Sequence, residues 1–210
     1  MRTMGIDEAG RGCVLGSLLV GAFVVETECD DALRQAGARD SKTLSAKRRL
    51  AARESLTALG QPDIREITAR EIDQNNLNAL EEAAIIDLVL TWRPDHVFMD
   101  ALGHPRTLPA LVERLSRALK PTLPHLTWTI EPKADGTYPV VGAASIFAKT
   151  TRDQLLDELR SEFGILGSGY PSDPKTRAWL LEWARREEPW PHFVRTRWQT
   201  VADIAQKAMF

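Results

Sequence analysis

The sequence predicts an α/β fold in which helices flank a mixed β-sheet and a helical extension follows at the C-terminal end. Two apolar runs, residues 3–6 and 14–25, stand on either side of a glycine-rich turn, as the strands of a hairpin would. Further along, short β-branched runs alternate with longer helical stretches, which favours a mixed sheet. The chain beyond Pro171 carries four tryptophans among many basic residues, which suggests a helical piece. We expect a sheet domain over residues 1–167 and a docked extension over residues 168–210.

Three further strands are expected near residues 64–68, 96–99 and 126–130, which are short runs rich in β-branched or aromatic residues. The first strand should end at Ile6. Adjacent side chains of a strand point to opposite faces, so Asp7 and Glu8 can share a site only where the strand ends.

Four helices are expected before the extension. Ser45 can cap the first, and Thr68 with Glu71 can form a capping box at the start of the second, which Pro94 then stops. The polar stretch through Asp40 is expected to be a loop. The predicted helical ranges are residues 46–59, 69–92, 108–119 and 140–163.

Composition limits the class of protein. The 210 residues include 43% hydrophobic ones, which suffices for one substantial core and excludes a disordered chain. Cys13 and Cys29 make no disulfide framework, which favours a reduced setting. No apolar run reaches the ~18 residues of a membrane span, and the acids at positions 7 and 8 interrupt the region where a signal peptide is apolar. We therefore expect a cytoplasmic protein without membrane contact, and a monomer.

Four acids fall at or just beyond the C-terminal ends of predicted strands: Asp7, Glu8, Asp100 and Asp135. Ligands gather at that edge of an open sheet. Carboxylates brought together repel one another unless cations neutralise them, and an all-oxygen set suits Mg²⁺ or Mn²⁺. Two such ions ~3.5–4 Å apart would serve phosphoryl displacement. Asp100 or Asp135 taken singly is more simply a solvated acid at a strand end, so the joint pattern carries the prediction.

The turn Gly10-Arg11-Gly12 follows the first two acids. Its glycines let the backbone approach a ligand or adopt a positive φ, and Arg11 adds a fixed positive charge. Taken alone, this turn is equally well explained as a surface loop with a local ion pair, because a short glycine-rich motif is a weak signal.

The net charge of −2 gives no overall attraction to nucleic acid, so a polyanion has to be held by a local patch. Lys42 and Arg48 lie where a loop becomes a helix, and a helix N-terminus favours phosphate. Ser145 and Lys149 share one face of the long helix, and we assign both to phosphate contact. Arg152, on the same face, is expected to pair with Asp153 or another acid in a structural role.

Five sequence blocks resemble the type 2 ribonucleases H, and more specifically the ribonuclease HII family. They stand in the family's order and span nearly the whole chain. The blocks are Gly5-Ile6-Asp7-Glu8-Ala9-Gly10-Arg11-Gly12, Asp40-Ser41-Lys42-Thr43-Leu44-Ser45, Lys133-Ala134-Asp135, Ala143-Ala144-Ser145-Ile146-Phe147-Ala148-Lys149 with Arg152-Asp153, and Gly167-Ser168-Gly169-Tyr170-Pro171. The continuation Ser172-Asp173-Pro174-Lys175-Thr176 is most similar to the archaeal members.

The resemblance implies a ribonuclease H-like mixed sheet, with residues 1–167 as the catalytic domain. It implies an endonuclease that cuts the RNA strand of RNA/DNA hybrids. The enzyme would also nick duplex DNA on the 5′ side of an embedded ribonucleotide, leaving a 3′-hydroxyl and a 5′-phosphate. The four acids would bind the metals and be catalytic. Gly10-Arg11-Gly12 and Tyr170 would recognise the 2′-hydroxyl, the group that distinguishes RNA from DNA at a sugar. Cys13 departs from the family's more frequent proline, and Ala101 departs from the usual residue after the third acid.

Two alternatives stay open from the residues alone. Another two-metal nuclease of the same fold would not need the Gly-Arg-Gly and Gly-Tyr-Pro blocks. A non-catalytic nucleic-acid-binding module would not carry carboxylates that repel phosphate. The C-terminal residues Gln206-Lys207-Ala208-Met209-Phe210 hint at a sliding-clamp-binding peptide but stop before an aromatic pair, so clamp binding is only weakly supported.

Overall fold

A computed structural model describes residues 1–26, 29–38, 44–101 and 108–208. Within these ranges the chain forms five strands and nine helices. The strands are β1 (Thr3–Ala9), β2 (Leu18–Val25), β3 (Gln61–Ile67), β4 (His96–Asp100) and β5 (Thr127–Glu131). The helices are α1 (Asp30–Gln35), α2 (Ala46–Thr57), α3 (Ala69–Gln74), α4 (Leu77–Trp92), α5 (Leu108–Leu119), α6 (Ala134–Thr137), α7 (Pro139–Phe163), α8 (Pro174–Ala184) and α9 (Gln199–Ala208).

The strands form one mixed sheet in the order β3-β2-β1-β4-β5. The three strands β1, β4 and β5 are parallel, with register from Thr3↔His96 to Ile6↔Met99 and from His96↔Thr127 to Asp100↔Glu131. Because these strands run the same way, their carboxyl ends meet at one edge of the sheet. The predicted fold class, a mixed sheet flanked by helices, is confirmed.

The ends of the first two strands differ from the prediction. β1 continues through Asp7 and Glu8 to Ala9, although its parallel pairing with β4 stops at Ile6. β2 begins at Leu18 rather than Val14, because the segment before it pairs elsewhere. There Leu15 forms an antiparallel bridge with Val194.

Two predicted helices need correction. The helix expected over residues 69–92 is divided into α3 and α4, since Asn75 is extended at φ −133° and ψ 172°. The side chain of Asn76 then accepts a hydrogen bond from Ala79 N at 3.2 Å and caps the second piece. The polar stretch before residue 40 contains α1, and a further short helix, α6, follows β5. The Ser45 cap and the Thr68–Glu71 capping box are confirmed.

Helix α7 lies in direct contact with β1, which has no space for a side chain at the crossing point. A Cβ at Gly5 would stand 2.1 Å from the Val140 carbonyl oxygen, and one at Gly21 of β2 would stand 2.9 Å from the Ala144 oxygen. Glycine at these two positions therefore lets the helix backbone rest on the sheet. This contact fixes the position of Ser145 and Lys149, which follow on α7, relative to Asp7.

The chain divides into two compact units. The first comprises Met1–Ala9, Val20–Arg65 and Glu81–Thr150, and the second comprises Gly10–Leu19, Glu66–Leu80 and Thr151–Phe210. The first has a core around Phe23 and Phe147, whose stacked rings lie 5.6 Å apart. The second has a core in which Trp179, only 6% exposed, stacks on Trp183 at 5.3 Å, as expected of core tryptophans. The predicted boundary at Ser168 divides the chain differently and stays a prediction.

Candidate active site

Asp7 is a buried carboxylate near the C-terminal end of β1, with only 5% of its surface exposed. Its Oδ1 accepts a hydrogen bond from Glu8 N at 2.8 Å, and the Ser145 hydroxyl also bonds to it. Burial raises the pKa of Asp7 above its ordinary value, and the nearby Asp100 raises it further. The Ser145 bond and the charge of Lys149 lower the pKa of Asp7, so the site already favours positive charge beside this carboxyl group.

Asp100 ends β4, the strand parallel and adjacent to β1. Its Oδ1 accepts hydrogen bonds from Ala101 N at 3.0 Å and from Ala134 N at 3.2 Å. The second bond ties Asp100 to the first residue of α6. Lys133 makes the turn before that helix in the left-handed region, at φ 62°. Asp135 comes next on α6 and is 3% exposed, so the structure links Asp100 to the chain segment that carries Asp135.

Glu8 is half-buried. It lines a small void together with Asp7 and Glu81, a helix α4 carboxylate that is 1% exposed. Glu81 was missed at the level of sequence because an acid in a helical Leu-Glu-Glu-Ala stretch looks like an ordinary solvated one. Only its burial beneath the end of β1 distinguishes it.

The carboxylates do not form a closed metal cage. Among the residues that the structure describes, no three histidine, cysteine, aspartate or glutamate side chains are grouped so that they could hold a metal ion. The donor chemistry nevertheless fits a hard divalent cation. Asp100 lies close enough to Asp7 for its charge to raise the pKa of Asp7, and a cation between two such carboxylates removes their repulsion.

The predicted phosphate-contacting residues are found in different settings. Lys149 donates from Nζ to Ser145 Oγ at 2.8 Å, so the two residues act together on one face of α7. Ser145 is fully buried, whereas Lys149 is half-buried. Arg48 is exposed in the first turn of α2, and its backbone N–H is capped by Ser45. Lys42 lies outside the described residues, as does most of its block.

The turn Gly10-Arg11-Gly12 belongs to the second compact unit. Gly10 has φ +90°, a left-handed conformation that favours glycine, and its carbonyl accepts from Cys13 N at 3.2 Å. Gly12 is exposed. The Arg11 guanidinium donates from Nη2 to Asn78 Oδ1 at 2.6 Å, which holds the side chain to the start of α4.

Tyr170 lies beside this turn and is 41% exposed. A Cβ on Gly12 would be 3.7 Å from Tyr170 Cε1, an ordinary contact distance. The neighbouring Gly169, at φ +79°, accepts backbone hydrogen bonds from Val14 at 2.8 Å and Leu15 at 3.2 Å. The loop that carries the tyrosine is therefore bonded to the chain that continues from the glycine turn.

Arg152 has a structural role, although its observed contacts differ from the acid pairing that was expected. Its Nη2 donates to the Ser168 carbonyl at 2.7 Å and to Cys13 Sγ at 3.0 Å. Its guanidinium carbon also lies 5.3 Å from the centre of the Tyr170 ring. The expected carboxylate partner is replaced by a thiol, a carbonyl and an aromatic face. Arg152 is 91% buried among loop backbone. Arg195, which no sequence motif singled out, is the second buried arginine at this turn.

Residues 4–201 match the sequence profile of the family described as Ribonuclease HII. The chain belongs to the ribonuclease HII family. It is 37% identical to ribonuclease HII from Archaeoglobus fulgidus, over 98% of this chain and 97% of that protein. It is 39% identical to ribonuclease HII from Aeropyrum pernix, over 96% and 89% respectively. The ribonuclease HII family cleaves the RNA in RNA/DNA hybrids, so the chain is a ribonuclease H hydrolase.

Solved structures agree with this assignment. The fold matches ribonuclease H2 from Pyrococcus horikoshii with a TM-score of 0.87 and 34% identity, over 100% of this chain and 99% of that one. The ribonuclease HII of the PCNA:RNase HII complex from Archaeoglobus fulgidus matches with a TM-score of 0.82 and 36% identity, over 96% of both chains. Bst-RNase HIII, solved with Mn²⁺, has a TM-score of 0.78 but 16% identity and shows likeness of fold alone. In the part of the chain that the structure describes, no helix is long and apolar enough to cross a membrane.

Proposed function

We propose that this ribonuclease H hydrolyses the RNA strand of RNA/DNA hybrids and nicks duplex DNA on the 5′ side of an embedded ribonucleotide, giving a 3′-hydroxyl and a 5′-phosphate. The observation that carries the proposal is the buried Asp7 beside Asp100, at the carboxyl ends of adjacent parallel strands. Burial disfavours the charged form of Asp7 and the charge of Asp100 adds to this effect, so a cation beside the two carboxylates would be stabilising, as a cation-assisted phosphodiesterase needs.

Asp7 and Asp100 would hold Mg²⁺ or Mn²⁺, with Glu8 and Asp135 completing the oxygen ligands. When bound, such ions would lower the pKa of an attacking water and stabilise the charge on the leaving oxygen in a two-metal hydrolysis. The Mn²⁺ bound by Bst-RNase HIII is in keeping with that ligand set. The Ser145 hydroxyl orients the carboxylate of Asp7, to which it bonds.

Lys149 faces the substrate phosphate in this proposal. Its ammonium group, tied to Ser145 at 2.8 Å, keeps a positive charge next to the acids and counters their repulsion of the nucleic acid backbone. Arg48 and Lys42 would add further phosphate contacts. The protein thereby attracts a polyanion locally although its net charge is −2.

Gly10-Arg11-Gly12 would recognise the 2′-hydroxyl, and Tyr170 would pack against the neighbouring sugar. Gly12, the exposed residue of the turn, offers backbone groups, and a 2′-hydroxyl can both donate and accept hydrogen bonds. A non-catalytic module remains the alternative function, and the buried acids argue against it. The PCNA complex of the Archaeoglobus fulgidus relative makes a sliding clamp a candidate partner, but the last two residues of the hinted peptide lie outside the described residues.

The test compares Asp7→Asn with Glu54→Gln, a change of an exposed acid on α2. The substrate is a DNA duplex carrying one ribonucleotide, with and without Mg²⁺. Asp7→Asn should lower single-turnover cleavage by more than about 100-fold, because charge stabilisation of the reacting phosphate is lost. Glu54→Gln should cleave like the parent enzyme.

Binding gives the second measurement. Removing one carboxylate charge should leave the affinity of Asp7→Asn for the duplex unchanged or improved, which separates a catalytic defect from misfolding. Retained cleavage by Asp7→Asn would exclude Asp7 as a metal ligand. Cleavage of the all-RNA strand of a hybrid but not of the single ribonucleotide would exclude the proposed nicking activity alone.

A further inference from the structure

Arg195 is a fully buried arginine that binds the glycine turn. Its exposed fraction is 0%. Nη2 donates to the Gly10 carbonyl at 2.7 Å, Nη1 to the Arg11 carbonyl at 2.9 Å, and Nε to the Gly16 carbonyl at 3.0 Å. One guanidinium group therefore holds three backbone carbonyls of the same loop, two of them consecutive.

Holding two consecutive carbonyls inward determines where the following amides point. No peptide bond among the described residues is cis. In a trans peptide the C=O and the N–H of the next residue point in opposite directions. The Gly10 and Arg11 carbonyls face the buried guanidinium, so the N–H groups of Arg11 and Gly12 face away from it. Two successive amides directed the same way form a small concavity that binds an oxygen atom.

The position of Arg195 is itself fixed by several contacts. Its backbone N donates to the Val14 carbonyl at 2.9 Å, next to the Leu15–Val194 bridge. On its other side, Asp73 accepts from Thr196 N and Thr196 Oγ1, each at 2.7 Å. The guanidinium carbon lies 5.4 Å from the centre of the Trp198 ring. Backbone pairing, a carboxylate clamp and an aromatic face thus hold the side chain in one place.

The arrangement requires an arginine. Burial lowers the pKa of Arg195 to about 10, which still leaves the side chain protonated at neutral pH. Its planar fork can reach three acceptors at once, whereas the ammonium group of a lysine is a compact charge at the end of a flexible stem. Burying a charge is costly unless it is fully hydrogen-bonded. An apolar side chain in its place would leave the Gly10, Arg11 and Gly16 carbonyls without this donor.

We propose that Arg195 is a positioning residue for ribonucleotide recognition: it pulls the Gly10 and Arg11 carbonyls inward and so presents the Arg11 and Gly12 amides to the 2′-hydroxyl. The inference rests on the proposed recognition of the 2′-hydroxyl by this turn. It assigns Arg195 no contact with the substrate. Its effect is on discrimination between a ribose and a deoxyribose, not on the metal-dependent step.

The experiment measures Kd in EDTA, where metal-dependent cleavage does not proceed, for an all-DNA duplex and for the same duplex with one ribonucleotide. The ratio of the two Kd values is the discrimination. Arg195→Lys keeps the charge but loses the three hydrogen bonds to the loop carbonyls. It should lower the ratio of the two Kd values about ten-fold, or to unity. The matched control is Leu180→Ala, a fully buried residue in the same core, which should lower Tm but leave the discrimination unchanged.

The outcomes are distinct. A parent enzyme without discrimination would overturn both the recognition by the turn and the role of Arg195. A discriminating parent with an equally discriminating Arg195→Lys would overturn the role of Arg195 alone. An equal loss of discrimination in Arg195→Lys and Leu180→Ala would also overturn the role of Arg195, since the loss would then follow from lower stability. If Arg195→Lys does not fold, Asp73→Asn is the second variant, because it keeps Arg195 but weakens the bonds to Thr196. It should lower the discrimination about two- to three-fold. An unchanged discrimination in Asp73→Asn would overturn the proposal.

Discussion

Tyr170 shows how a single side chain in this enzyme depends on its neighbours. Its ring is 41% exposed, yet Arg152 packs on it and donates to the carbonyl of Ser168 two residues earlier. The ring is thus available to a ligand but fixed in orientation. A flat ring held in this way can pack on a sugar without losing much conformational freedom.

Tyr170→Ala is expected to reduce cleavage at a single embedded ribonucleotide about 10- to 100-fold, because aromatic packing of this kind contributes ~1–3 kcal/mol. Long RNA/DNA hybrids, which offer many sites, should be cleaved with a smaller loss. Tyr170→Phe keeps the ring and should behave nearly like the parent. Cleavage rates on the two substrates, measured alongside a melting curve, provide the comparison.

The competing explanation is that Tyr170 only anchors its loop. In that case Tyr170→Ala would lose equal activity on both substrates and melt at a lower temperature. Such a result would leave Tyr170 as a packing residue and would weaken the proposed recognition of the sugar.

At the scale of elements, helix α8 is joined to the tyrosine loop by its N-cap. The Asp173 carboxylate accepts from Ser168 N at 2.5 Å and from Lys175 N at 2.9 Å. These bonds, first of all the one from Ser168, lower the pKa of Asp173 from 3.8 to about 2. A carboxyl group whose pKa is lower in the folded state stabilises the fold above its unfolded pKa. That contribution disappears as the pH falls through the folded value.

Asp173→Asn should therefore have a lower Tm than the parent at neutral pH, by about 2–4 °C, because asparagine caps a helix without the charge. The difference should shrink between about pH 4 and pH 2, where the parent becomes protonated. Melting curves across this range test it. A difference in Tm that stays constant with pH would show that the charge of Asp173 does not stabilise the helix.

On the scale of the whole molecule, charge is the property that needs explanation. An enzyme for a polyanionic substrate here carries a net charge of −2. Long-range attraction is therefore weak, and binding has to come from local cations such as Lys149. Its Nζ lies 2.8 Å from Ser145 Oγ, in the neighbourhood of the acids rather than on a broad basic face.

Lys149→Ala should weaken binding of duplexes regardless of sequence. It should also reduce the slope of log K against log salt by about 1, as expected when one phosphate contact is lost. Lys47→Ala, which removes an exposed lysine of α2, is the matched control and should leave the slope unchanged. An unaltered slope in Lys149→Ala would assign Lys149 to support of Asp7 and Ser145 instead of phosphate contact.

Local sequence determined the features that depend on neighbouring residues. The Ser45 cap, the Thr68–Glu71 box and the bounds of α5 were predictable because each rests on residues a few positions apart. The order of the motif blocks likewise predicted the family and the fold. Asp7 and Asp100 could be selected as acids at strand ends, since periodicity locates strands without knowledge of their partners.

Tertiary structure decided the features that depend on distant residues. Segment 14–17 reads as a strand of the sheet, but Leu15 bridges to Val194, so β2 begins later. Arg195 looked like one more basic residue of an aromatic tail, and only folding brings it to the Gly10 carbonyl, 185 positions away. Hydrophobic periodicity predicts which face of an element is buried, but not which distant backbone carbonyls a buried cation will meet. That choice is made when the chain packs and every buried polar group has to find a partner.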